Sequence, residues 1–117
     1  MTLELFNSKY EYKADKNYDD WTPCKLIDNK YRGDCESYVL SLLQYELAEG
    51  DITWTTIDGN GHAILVDGDR FIDCNNKRWT LIVDKPEAYS DFRRIYLPEL
   101  LIRKLKGFVL SLFYREN

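Results

Sequence analysis

Residues 33–50 read GDCESYVLSLLQYELAEG, and the organisation of the chain follows from this stretch. Tyr38, Val39, Leu42, Leu43, Tyr45 and Leu47 recur at three- and four-residue spacing, which draws one broad apolar face on a helix. Asp34 supplies an N-cap carboxylate and Gly50 a stop, so the expected helix fills the interval from Gly33 to Gly50. Beyond it the period changes to two. Ile52–Ile57 is β-branched and carries Trp54, the Asp58–Gly61 turn follows, and His62–Val66 and Asp69–Asn75 flank an Asp67-Gly68 pair. Two strand-like runs around Asp-Gly are a strong hairpin signal. Trp79–Val83 reads as another strand, Pro98–Lys106 as a short helix and Phe108–Tyr114 as a closing strand. Residues 1–33 read as irregular structure with room for a short helix. A helix followed by successive short strands indicates an α+β class with a mostly antiparallel sheet.

Composition narrows the functional classes. The 117 residues suit one domain, 1–117, with a single modest core, since no repeat or Pro/Gly-rich linker divides them. Apolar residues make up 44% and charged residues 31%, an ordinary globular mixture. A net charge of −4 with scattered basic residues argues against a nucleic-acid partner. No run approaches the length of a membrane span, and the first residues lack the order of a secretory signal. Three cysteines, Cys24, Cys35 and Cys74, leave an odd thiol in any disulfide scheme and fit a reducing cytoplasm. No cofactor fingerprint is present. A zinc site from these cysteines and His62 would lack any close pair of ligands, so no metal is expected.

Cys35 stands in the first turn of the expected helix. There the macrodipole and unpaired N–H groups favour thiolate over thiol, which is what a nucleophile needs. Its own N–H could donate to an oxyanion forming beside the sulfur. Asp34 opposes thiolate formation. The commoner role for a cysteine is a small buried residue.

His62 is the sole histidine. If Asp67 and Gly68 are the central turn residues, paired positions sum to 135 and His62 faces Asp73 on one side of the sheet. Ile64 and Phe71 would then share that face, packed beneath the helix. Asp73 so placed can hold the imidazole tautomer and stabilise imidazolium. A different turn would move the sum to 137 and set Asn75 opposite His62, where an amide can also orient an imidazole. Asp73 is the first choice and Asn75 the reserve. Cys74 should lie behind the sheet, and Cys24 beside Pro23 reads as a loop residue.

The pieces Trp21-Thr22-Pro23, Gly33-Asp34-Cys35-Glu36-Ser37-Tyr38, Gly61-His62-Ala63-Ile64-Leu65-Val66 and Phe71-Ile72-Asp73 resemble the bacterial transglutaminase-like cysteine peptidases of the papain-like superfamily. The resemblance covers roughly residues 20–75, about half of the chain. It implies a minimal papain-like or transglutaminase-like fold. It further implies Cys35 as nucleophile, His62 as base and then acid, and Asp73 as orienter, acting on a peptide or side-chain amide through a thioester. The implied partner is a protein or peptide substrate. Papain-type enzymes place an upstream Gln in the oxyanion hole, whereas the first Gln here is Gln44, inside the helix. By the resemblance Trp21 or Tyr31 would replace it, as aromatic donors do in transglutaminase-like sites. Small stand-alone proteins of this kind look similar to bacteriophage products, which suggests a role against host proteins. The alternative is the same fold with a decayed site, kept as a protein-binding module, for which the many tyrosines are suited.

Overall fold

The computed structural model describes residues 1–14 and 22–94. Trp21, the expected helix at 98–106 and the expected strand at 108–114 lie outside the described residues. The class is α+β, with a helix packed on a mostly antiparallel sheet.

The first helix, α1 (Leu3–Lys9), is capped by Thr2, whose hydroxyl accepts from Leu5 N at 3.1 Å. Three short strands follow: β1 (Tyr10–Tyr12), β2 (Lys25–Ile27) and β3 (Lys30–Gly33). They form a small sheet in the order β1-β3-β2, with β1 parallel to β3 and β2 antiparallel to it. Asp28 and Asn29 turn β2 into β3 with φ of 52° and 63°, a left-handed pair that these two residue types tolerate. The sequence reading had no strand here. Each run is only three or four residues long, and the Tyr10–Tyr31 pairing spans a separation that no local pattern announces.

Gly33 ends β3 and leads directly into α2 (Cys35–Gln44). A Cβ at Gly33 would stand 2.4 Å from the Ser37 Cβ, so only glycine admits this close approach of strand end and helix start. Asp34 caps the helix as expected, accepting from Ser37 N at 3.0 Å. The helix is shorter than its apolar pattern, which continues to Leu47. Glu46 takes a φ of 55°, with Glu46 N donating to Leu43 O and Leu47 N to Leu42 O. This pair of bonds is a Schellman closure, and it tucks Leu47 against the core. The pattern thus marks what is buried, while the hydrogen bonds mark where the helix stops.

The larger sheet runs β7-β6-β5-β4-β8. Its members are β4 (Asp51–Ile57), β5 (Asn60–Asp67), β6 (Arg70–Ile72), β7 (Thr80–Leu81) and β8 (Arg93–Arg94), with a 3-10 turn at Ile82–Asp84 after β7. The β5–β6 pairs are Leu65–Ile72, Val66–Phe71 and Asp67–Arg70. They correct the expected register: the sum is 137, because Asp67 still belongs to β5 and Gly68 is the first turn residue, with a φ of 64°. A shift of two leaves side chains on the same face, so His62 and Asp73 stay together despite the wrong register.

A second correction concerns which face meets the helix. Ala63, Leu65 and Ile72 join Tyr38, Val39 and Leu42 of α2 in the main core. Ile64 and Phe71 lie on the other side, in a separate cluster with Tyr89. Among the described residues no helix is long and apolar enough to cross a membrane.

Candidate functional site

β6 ends at Ile72 while β5 continues back to Asn60, so among the described residues the first residues of β5 have no strand partner on that side. A cavity of about 300 Å³ opens there. Its lining includes Cys35, His62, Tyr12, Cys74 and Asn75.

His62 is buried on β5, paired with Thr55 of β4. Its Nε2 lies 2.8 Å from Asp73 Oδ2. Asp73, just past the end of β6, is completely buried. Tyr89 Oη donates to the same Oδ2 at 2.6 Å, and Asn76 N donates to Oδ1 at 2.9 Å. Burial works against the Asp73 charge, but the bonds from His62, Tyr89 and Asn76 outweigh it and hold the carboxyl below its ordinary range. As a carboxylate, Asp73 only accepts, so Nε2 carries the hydrogen and the neutral imidazole keeps Nδ1 as its one acceptor. The Tyr89 ring meets the imidazole edge-on, with centroids 5.8 Å apart.

Cys35 sits at the first position of α2, 8% exposed. Its Sγ donates to Glu36 Oε2 at 3.2 Å. Burial pushes the thiol far up. The Glu36 carboxylate and, to a smaller degree, Asp34 add to this, and a hydrogen bond from the Ala63 backbone opposes it. The favourable helix position is therefore outweighed, and the resting sulfur is a thiol. Among the described residues its side-chain hydrogen bond goes to Glu36, not to His62.

The expected residues divide accordingly. Cys35 and His62 share the cavity, and His62 and Asp73 share a hydrogen bond. Asn75 also lines the cavity, but Asp73 is the residue that holds the imidazole. Tyr31 does not reach the site. Its ring packs on Phe6 with centroids 5.0 Å apart and on Tyr45 at 5.9 Å, so the expectation of an oxyanion donor there is replaced by a core role. Cys74 is buried in the core cluster of Ala63, Leu65 and Ile72, apart from the Ile64–Phe71 cluster as alternation expects, and it also lines the cavity. Cys24 is buried too, its N–H donating to Ser41 Oγ at 2.8 Å.

Two partners were not foreseen. Tyr89 belongs to a stretch with no periodicity. It is held beside β4 because Ser90 Oγ accepts from Thr56 N and Ser90 N donates to Thr56 O. Glu36 follows the nucleophile candidate directly, and its proximity was legible even though its effect was not. Among the described residues no cluster of three or more His, Cys, Asp or Glu side chains could hold a metal ion.

Compared with family models, curated proteins and solved structures, the chain matches none.

Proposed function

We propose that the chain is a cysteine-nucleophile hydrolase or acyltransferase acting on a peptide or side-chain amide of a protein, built on a compact papain-like plan. One observation carries this reading: Cys35 and His62 open into one cavity, and a buried Asp73 holds the imidazole through Nε2. The substrate amide enters the cavity and the Cys35 proton passes to Nδ1. The sulfur attacks the carbonyl carbon, a C–S bond forms and the carbonyl π pair moves onto oxygen. That pair then returns, the C–N bond breaks, and imidazolium gives its proton to the departing amine. Water or an amine attacks the thioester with His62 as base, and the thiol is regenerated. Asp73 orients the ring and stabilises imidazolium throughout.

A second reading, a protein-binding module, is favoured by the Cys35–Glu36 hydrogen bond and the protonated thiol it accompanies. Alkylation by iodoacetamide against pH, read at each cysteine by mass spectrometry, separates the two. The enzyme reading expects Cys35 to react faster than Cys24 and Cys74 near neutral pH and to lose that advantage in His62→Ala. If Cys35 is as slow as its two neighbours in both proteins, the binding module stands instead.

A further inference from the structure

Acyl transfer at Cys35 needs donors aimed at the developing oxyanion. The N–H of Cys35 supplies one, since first-turn amides have no partner within their helix. Neither of the aromatic residues expected to supply the second is seen at the cavity: Tyr31 is packed in the core and Trp21 lies outside the described residues. Tyr12 is there. The parallel pairing of β1 with β3 sets Tyr12 directly beside Gly33, two residues before Cys35. Lys13 N donates to Gly33 O at 3.0 Å and Tyr10 Oη to the same oxygen at 2.9 Å, so the β1 end is tied to the chain that delivers the nucleophile. Alternation along β1 gives Tyr10 and Tyr12 the same face. Tyr10 enters the core, its ring 4.9 Å from that of Tyr38, and Tyr12 beyond it reaches the cavity wall. Tyr12 is 59% exposed.

We infer that Tyr12 is a catalytic residue whose hydroxyl donates the second hydrogen bond to the oxyanion formed when the Cys35 sulfur attacks a carbonyl. This rests on the cysteine-hydrolase reading above. When the carbonyl π pair moves to oxygen, the Tyr12 O–H and the Cys35 N–H receive it. When the pair returns and the leaving group departs, both bonds slacken, and no proton leaves the phenol. The phenol stays protonated at neutral pH, since an ordinary tyrosine titrates only at about 10, and partial burial with the neighbouring Cys35 and Asp34 pushes its titration further upward.

The test uses the whole chain as wild type, Tyr12→Phe and Tyr31→Phe, with two probes of one sulfur. Acetyl transfer from p-nitrophenyl acetate to Cys35 passes through an oxyanion. Alkylation by iodoacetamide is displacement at a saturated carbon and makes none. The expected result is that Tyr12→Phe slows acetylation of Cys35 by about 10²-fold and leaves its alkylation rate unchanged, while Tyr31→Phe changes neither. The unchanged alkylation also reports an intact site. Acetylation at the wild-type rate in Tyr12→Phe overturns the role of Tyr12 alone. Equal slowing of both reactions also overturns it, since Tyr12 would then act on the thiol. A wild-type Cys35 that accepts no acetyl group overturns the hydrolase reading and this inference with it.

Discussion

The two sides of the cavity handle charge in opposite ways. On the His62 side a completely buried carboxylate is kept ionised, because three donors converge on its two oxygens. On the Cys35 side it is the thiols that are kept neutral. Burial and neighbouring carboxylates hold the Cys35 thiol up, and burial and Asp73 push Cys74 to about 12. Both arrangements obey one rule: a buried charge persists only where hydrogen bonds replace the water it has lost. The donors on one side were assembled from a strand, a turn and a loop 16 residues further on. The thiols have few such donors, and their nearest neighbours are themselves anionic.

The sharpest way to break this contrast is to remove the carboxylate. Asp73→Ala strands the buried imidazole N–H and the buried Tyr89 hydroxyl without their acceptor and should cost about 3–5 kcal/mol. Asp73→Asn, which keeps an acceptor of the same shape, should cost less than half of that. Urea unfolding of both variants at neutral pH checks the ordering, and equal losses would mean that a neutral acceptor contributes nothing and the charge carries the whole effect. The wild-type contribution has a definite pH window. The folded pKa lies below the unfolded value of about 3.9, so the stabilisation is complete above that value. It is lost as pH falls through the lower folded pKa.

The thiol side should fail in alkali instead. The folded thiols titrate above their unfolded value of about 8.5, so the folded chain holds protons that the unfolded chain releases. Stability is therefore complete below that value and falls at higher pH by about 1.4 kcal/mol per pH unit for each such thiol. Cys74→Ala should remove one share of that slope up to pH 12, where the folded group titrates. Urea midpoints taken across mildly alkaline pH measure it, and an unchanged slope in the variant would show that Cys74 ionises as freely in the folded chain as in the unfolded one.

The smallest effect sharpens the comparison at the reactive atom. Glu36→Gln takes away the carboxylate that accepts from Cys35 Sγ. Losing an adjacent negative charge lowers a thiol by at least about one unit, which raises the thiolate fraction about tenfold at neutral pH. Iodoacetamide alkylation of Cys35 should accelerate accordingly. No acceleration would assign the raised thiol to burial and Asp34 without Glu36.

The α+β class, the Asp34 cap, the His62 strand and the shared face of His62 and Asp73 were all legible in the sequence. Each depends on local periodicity, on a capping side chain, or on a parity that survives a two-residue slip of register. Tertiary contacts decided the rest. Leu47 continues the helical pattern, yet the Leu42 and Leu43 carbonyls close the helix before it. Ala63 and Leu65, not Ile64 and Phe71, meet α2, because a strand buried on both faces gives no sign of which side the helix takes. Tyr31 went to the core and Tyr12 to the cavity through one parallel pairing, between β1 and β3, across a separation of 21 positions from Tyr10 to Tyr31. Local chemistry can name a nucleophile and its base from their neighbours in the chain. Which phenol, carboxylate or thiol comes to stand beside them is set by contacts between distant segments, whose energies no short window of sequence contains.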